Sequence, residues 1–88
     1  MADYIGHKDV IQPCQCRAAR GLLDWTQDRL AEAAGVSRST IRDFENGRRV
    51  LHRGTADLVA GALSRAGVIL IGPDGGGYGV RFAAALSG

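Results

Sequence analysis

Ser37, Arg38, Ser39, Arg42 and Asp43 crowd into one short stretch, on the side of a helical projection opposite Ile41 and Phe44. Their side chains suit the reading of flat edges that carry hydrogen-bond donors and acceptors. Arg38 offers two parallel donors, which match O6 and N7 of guanine in a DNA major groove. Ser39 donates or accepts. Arg42 lies one turn beyond Arg38 and reaches a base or a phosphate. Asp43 accepts from cytosine N4 or steers a neighbouring arginine. The competing reading is a plain solvated helix face, so the elements that position these side chains decide the matter.

Those elements are short and well punctuated. Thr26 is a good N-cap, and Asp28 follows in the first turn, where a carboxylate favours exposed backbone amides. Leu30, Ala31 and Ala34 fall at helical spacing, and Gly35 supplies a left-handed residue that ends the helix. Ser37 caps a second helix at once, with Ile41 and Phe44 inward and Gly47 closing it. The two helices are expected at about 27–34 and 38–46. Helix, glycine turn, helix is an arrangement whose second member enters the major groove.

From about Arg17 to Gly67 the chain resembles the Cro and phage-repressor type of helix-turn-helix protein, the XRE family. Arg20, Thr26-Gln27, Leu30-Ala31, Ala34-Gly35-Val36, Ser37, Ile41 and Glu45-Asn46-Gly47 carry the resemblance. It implies that Gln27 contacts the DNA backbone, at a helix start where amides and dipole already attract phosphate. It also implies that Asn46 and the Arg48-Arg49 loop grip phosphates, with Arg17, Ser37 and Thr40 as further candidates. Arg20 and Glu45 match an intramolecular ion pair that ties the first helix to the end of the third. Arg20 is therefore assigned to the scaffold first.

Around this segment, residues 1–12 read as an N-terminal arm. Pro13 suits a first helical turn, and Cys16, Ala19 and Leu23 share one face of a helix over 13–23 that Gly21 weakens. Trp25 reads as a packing residue at the first corner. After a polar loop, Thr55 is expected to cap a helix running to about Ala66, with Leu58, Val59, Ala62, Leu63 and Ala66 as its apolar stripe. Val68-Ile69-Leu70-Ile71 and Tyr78-Gly79-Val80-Arg81-Phe82 flank a Gly-rich loop and predict a β-hairpin. That loop lacks the Gly-Lys-Ser/Thr of a phosphate-binding loop. The fold class expected is mainly α, with four helices over residues 13–67 and a hairpin over 68–82 in place of a fifth helix, then a tail over 83–88. The hairpin's apolar residues, Val68, Ile69, Leu70, Ile71, Tyr78, Val80 and Phe82, are expected to dimerise, because exposed strand edges invite pairing.

Composition sets the limits. A chain of 88 residues hides roughly 60–65% of its unfolded surface, so stability is modest or helped by oligomerisation. The net charge is only +2, but it is unevenly placed. Arg17 to Arg53 carries eight arginines against five acids, a local +3, while the remainder sums to −1. Such clustering suits a phosphate-binding surface. Cys14 and Cys16 stand too close for an unstrained disulfide, and His7 and His52 are isolated, so neither a metal nor any other cofactor is expected. Cys16 is read as a small core residue and Cys14 as partly exposed. No Ser/His/Asp set or paired carboxylates suggests an enzyme. The expectation is a cytoplasmic, nucleoid-associated bacterial or phage regulator, most simply a homodimeric repressor on double-stranded DNA, away from membranes. The alternative is an antitoxin-like interaction module that neutralises a partner and keeps DNA binding. RNA polymerase and a toxin-like protein are the further partner classes considered.

Overall fold

A computed structural model of the chain describes residues 10–73 and 76–84. Most of the expected arm, the loop residues Asp74 and Gly75, and the end of the tail lie outside them. Four helices and one antiparallel hairpin make up the described residues.

Helix α1 (Pro13–Leu23) carries proline at its first position, where the missing N–H costs nothing. Its carboxyl end turns through Asp24, a non-glycine residue at φ +57°, a conformation that the short polar side chain of aspartate tolerates better than most. The Trp25 N–H closes the turn on the Arg20 carbonyl at 2.9 Å. Helix α2 (Gln27–Ala34) starts under the Thr26 hydroxyl, which accepts from the Arg29 N–H at 3.0 Å, and stops at Gly35. Helix α3 (Arg38–Glu45) starts the same way, the Ser37 hydroxyl accepting from the Thr40 N–H at 3.1 Å. Asn46 caps its end. Gly47, at φ +77°, then lets the N–H of Arg48 turn back to the Asp43 carbonyl at 2.8 Å.

Helix α4 (Arg53–Arg65) corrects two expectations. It begins after His52, so Thr55 lies inside its first turn and is not the cap. Leu51 is drawn into the core, and the chain turns helical directly behind it. The inward stripe is Ala56, Val59, Ala62 and Leu63, whereas Leu58 is 51% exposed. Leu58 lies two positions beyond Ala56, a rotation of about 200° that carries it to the opposite side.

The core joins Cys16 and Ala19 of α1, Leu30, Ala31 and Ala34 of α2, Ile41 and Phe44 of α3, and the α4 stripe. Ile11 also enters it, so the last residues of the expected arm belong to the body. Trp25 packs against its rim, with the Arg29 guanidinium 5.1 Å from the ring centroid.

Strands β1 (Val68–Ile71) and β2 (Gly79–Phe82) pair with Val68 opposite Phe82 and Leu70 opposite Val80. Val68 is buried, and Leu70 and Val80 pack against the helices. Ile69, opposite Arg81, and Ile71, opposite Gly79, turn outward. The seven hairpin residues expected to dimerise therefore divide. Val68, Leu70 and Val80 are taken up by the protein's own core, because strand residues alternate sides and one side must cover α1 and α4. Ile69, Ile71 and Tyr78 stay exposed, and Phe82 is half-buried.

Candidate nucleic-acid interface

α3 is amphipathic. Ile41, Phe44 and Glu45 are buried on one side, and Arg38, Ser39 and Arg42 are exposed on the other. The hydroxyls of Ser37, Ser39 and Thr40 cluster at its amino end, with Ser37 Oγ 2.7 Å from Thr40 Oγ1 and 3.1 Å from Ser39 Oγ. Arg38 Nε lies 3.3 Å from Asp28 Oδ1 at the start of α2, and both side chains are well exposed. Such a surface pair is worth about 0–1 kcal/mol, so the arginine is easily released. Arg42 Nε sits 3.3 Å from Asp43 Oδ1.

The loop after α3 folds back toward the hydroxyl cluster. Arg49 donates from Nη1 to Thr40 Oγ1 at 3.2 Å. Asn46, Arg48 and Arg49 are all exposed. Arg17 reaches the same end of α3 from α1, donating from Nη1 to the Glu45 carbonyl at 2.5 Å. It thereby satisfies one of the carbonyls left without a partner by the end of the helix.

Beneath this surface lies a polar knot around Glu45, whose side chain is 2% exposed. Arg20 grips the carboxylate with both prongs, Nε to Oε2 at 2.8 Å and Nη2 to Oε1 at 2.7 Å, and adds a third bond to the Trp25 carbonyl at 3.0 Å. The Gln27 amide donates to Oε1 at 3.0 Å, and the Cys16 thiol donates to Oε2 at 3.0 Å. Burial pushes the Glu45 carboxyl upward, but the bonds from Arg20, Cys16 and Gln27 and the Arg20 charge prevail and hold it below the usual carboxylate range. The Glu45 hydrogen bond raises Arg20, so the pair stays ionised. Burial, then the bond to Glu45 and its charge, push the Cys16 thiol far above its ordinary range.

Gln27 thus serves the scaffold as well as the start of α2. Two further contacts escape a reading of the sequence. Cys16 is more than a small filler, since it is a donor to Glu45. Gln15 is buried, and its amide bonds the carbonyls of Ile71 at 2.8 Å and Gly79 at 3.0 Å. The signal for Gln15 was its place four residues before Ala19, a polar side chain on the inward stripe.

A helix-turn-helix family profile matches residues 17–65, more than half of the chain, from within α1 to the end of α4. The chain belongs to the Cro/XRE-type helix-turn-helix family. No curated protein matches it. The helix-turn-helix body is a DNA-binding domain of the transcription-regulator type, and α2, the Gly35 turn and α3 are its defining unit. Among the described residues of this helix-turn-helix protein, no group of His, Cys, Asp or Glu is arranged to hold a metal ion. Nor is any described helix long and apolar enough to cross a membrane.

Proposed function

We propose that this protein is a sequence-specific transcriptional repressor that binds operator DNA as a homodimer. The observation that carries this reading is the division of α3, with Ile41, Phe44 and Glu45 anchored below and Arg38, Ser39 and Arg42 exposed above. Arg38 leaves Asp28 and pairs with a guanine, Ser39 and Arg42 read adjacent bases, and Asp43 holds Arg42 in line. Gln27, Ser37, Thr40, Asn46, Arg48 and Arg49 take phosphates on either side. Arg17 adds charge at the carboxyl end of α3.

One such helix reads only a few base pairs, so two copies spaced about one helical turn, ~34 Å, supply usable affinity. Ile69 and Ile71, on the outer side of the hairpin, and the exposed Tyr78 beside its loop are the surface proposed to meet the second copy. The same trio supports the second reading, an antitoxin-like module with a different protein seated there.

Selection of bound duplexes from a random-sequence pool tests the proposal. Enrichment of two inverted half-sites is expected, and absence of any enriched sequence overturns it. Sedimentation of Ile69→Glu/Ile71→Glu separates the two readings. A native chain that dimerises and a variant that does not supports the homodimer. A native chain that stays monomeric on its own favours the module.

A further inference from the structure

We propose that Gln15 is the positioning residue that sets the hairpin's angle to α3, and with it the separation of the half-sites a dimer engages. This rests on the hairpin-mediated homodimer proposed above. Gln15 is 3% exposed, and burying an amide is unfavourable unless its hydrogen-bonding groups are satisfied. Here they are. Nε2 donates to the Ile71 carbonyl at 2.8 Å and to the Gly79 carbonyl at 3.0 Å, while Oε1 accepts from the Gln12 N–H at 2.9 Å. Ile71 and Gly79 face each other across the hairpin, on its last rung before the loop.

At its other end the hairpin is fixed by the chain itself. β1 follows α4 through Gly67, and the Ala83 N–H donates to the Gly67 carbonyl at 2.7 Å. A hairpin held only there could pivot, because the apolar contacts of Leu70 and Val80 have no preferred direction. Hydrogen bonds do, and a single amide bonded to both strands at the far rung removes the pivot. The same turn of α1 carries Cys16 and Arg17, and the next carries Arg20, to Glu45 at the end of α3. α1 packs against both the hairpin and α3. A dimer surface on Ile69 and Ile71 is therefore keyed to the reading helix through Gln15. On the DNA, one base pair corresponds to about 3.4 Å and about 35° of rotation, so small freedom in the hairpin changes which spacings fit.

The test compares the full-length protein with Q15M, which keeps the length and bulk of the side chain and loses its donors, by selection from a random-sequence duplex pool. Ala60→Gly, which weakens α4 through helix propensity and the loss of a half-buried methyl group, serves as the control for lost stability. The native protein and the control are expected to enrich inverted half-sites at one separation. Q15M is expected to enrich the same half-site at two or more separations. An unchanged single separation in Q15M overturns the inference while leaving the dimer intact. Single, unpaired half-sites from the native protein overturn the dimer and this inference together. Should Q15M fail to fold, hydrogen exchange of the Gln15 side-chain amide in the native protein decides. Both protons are expected to be strongly protected, and exchange at the rate of a free amide overturns the inference.

Discussion

Arg20 and Glu45, 25 residues apart in the chain, meet in a two-pronged pair in which guanidinium and carboxylate lie 2.7–2.8 Å apart. The pair joins α1 to the last turn of α3, and Cys16 and Gln27 complete its shell. Arg20→Ala removes the charge that balances a buried carboxylate, and a loss of about 3 kcal/mol is expected. Replacing both residues by methionine leaves no uncompensated charge and is expected to cost less than Arg20→Ala alone. Urea unfolding of the two variants beside the native protein decides; equal losses would dismiss the argument.

The same carboxylate makes stability depend on acid. Glu45 titrates below its ordinary value of 4.5 when folded, so the folded state favours its ionised form. Its contribution is complete above that ordinary value and is lost as pH falls through the lower folded value. Unfolding midpoints measured downward from pH 6 are expected to hold steady to about pH 5 and then drop. In Glu45→Gln the drop is expected to be shallower.

The two cysteines are expected to differ sharply in reactivity. Cys14 is exposed, while Cys16 is buried and held as a thiol against Glu45. Thiolates are the reacting species, so a maleimide is expected to label Cys14 alone in the native protein and both after denaturation. Mass spectrometry reads the difference directly. Labelling of Cys16 without unfolding would contradict its place in the knot.

Gly21 lies in the interior of α1, exposed, with nothing within 4 Å of where a β-carbon would stand. Gly21→Ala is therefore expected to stabilise the protein by about 0.5–1 kcal/mol, through helix propensity and a less disordered unfolded chain. Thermal unfolding is the measurement, and a lower midpoint would show an unrecognised need for the glycine.

Base and phosphate contacts leave different marks on binding. Arg38→Ala is expected to weaken operator binding by about 1–3 kcal/mol and relax preference at one base pair. Arg48→Ala is expected to weaken all sequences alike and lower the salt slope by about 1. Titrations on the selected operator and a scrambled duplex at several salt concentrations separate these outcomes. A uniform loss in Arg38→Ala would move it to the phosphate class.

Much of the fold was legible because punctuation and period agreed. Thr26 and Ser37 cap where hydroxyls before an apolar repeat should, and Gly35 and Gly47 end what they follow. The start of α4 is hidden from the sequence because Thr55 is a better cap by type than His52. Burial of Leu51 outweighed that local preference. Leu58 is apolar yet faces outward, because the spacing of Ala56 and Val59 sets the inward side. Contacts of Gln15 and Cys16 join residues far apart in the chain, Gln15 with Ile71 and Gly79, Cys16 with Glu45. No local pattern encodes such partners; only the packing of α1 brings them together.

Gly47 shows how little material such control requires. With only hydrogen on its α-carbon, the chain reverses hand in a single residue, and the two arginines behind it double back until Arg49 reaches Thr40. A methyl group at that point would strain the reversal and send the basic segment away on another bearing. The aim of the loop is thus set by an omitted carbon, upstream of any charge it carries.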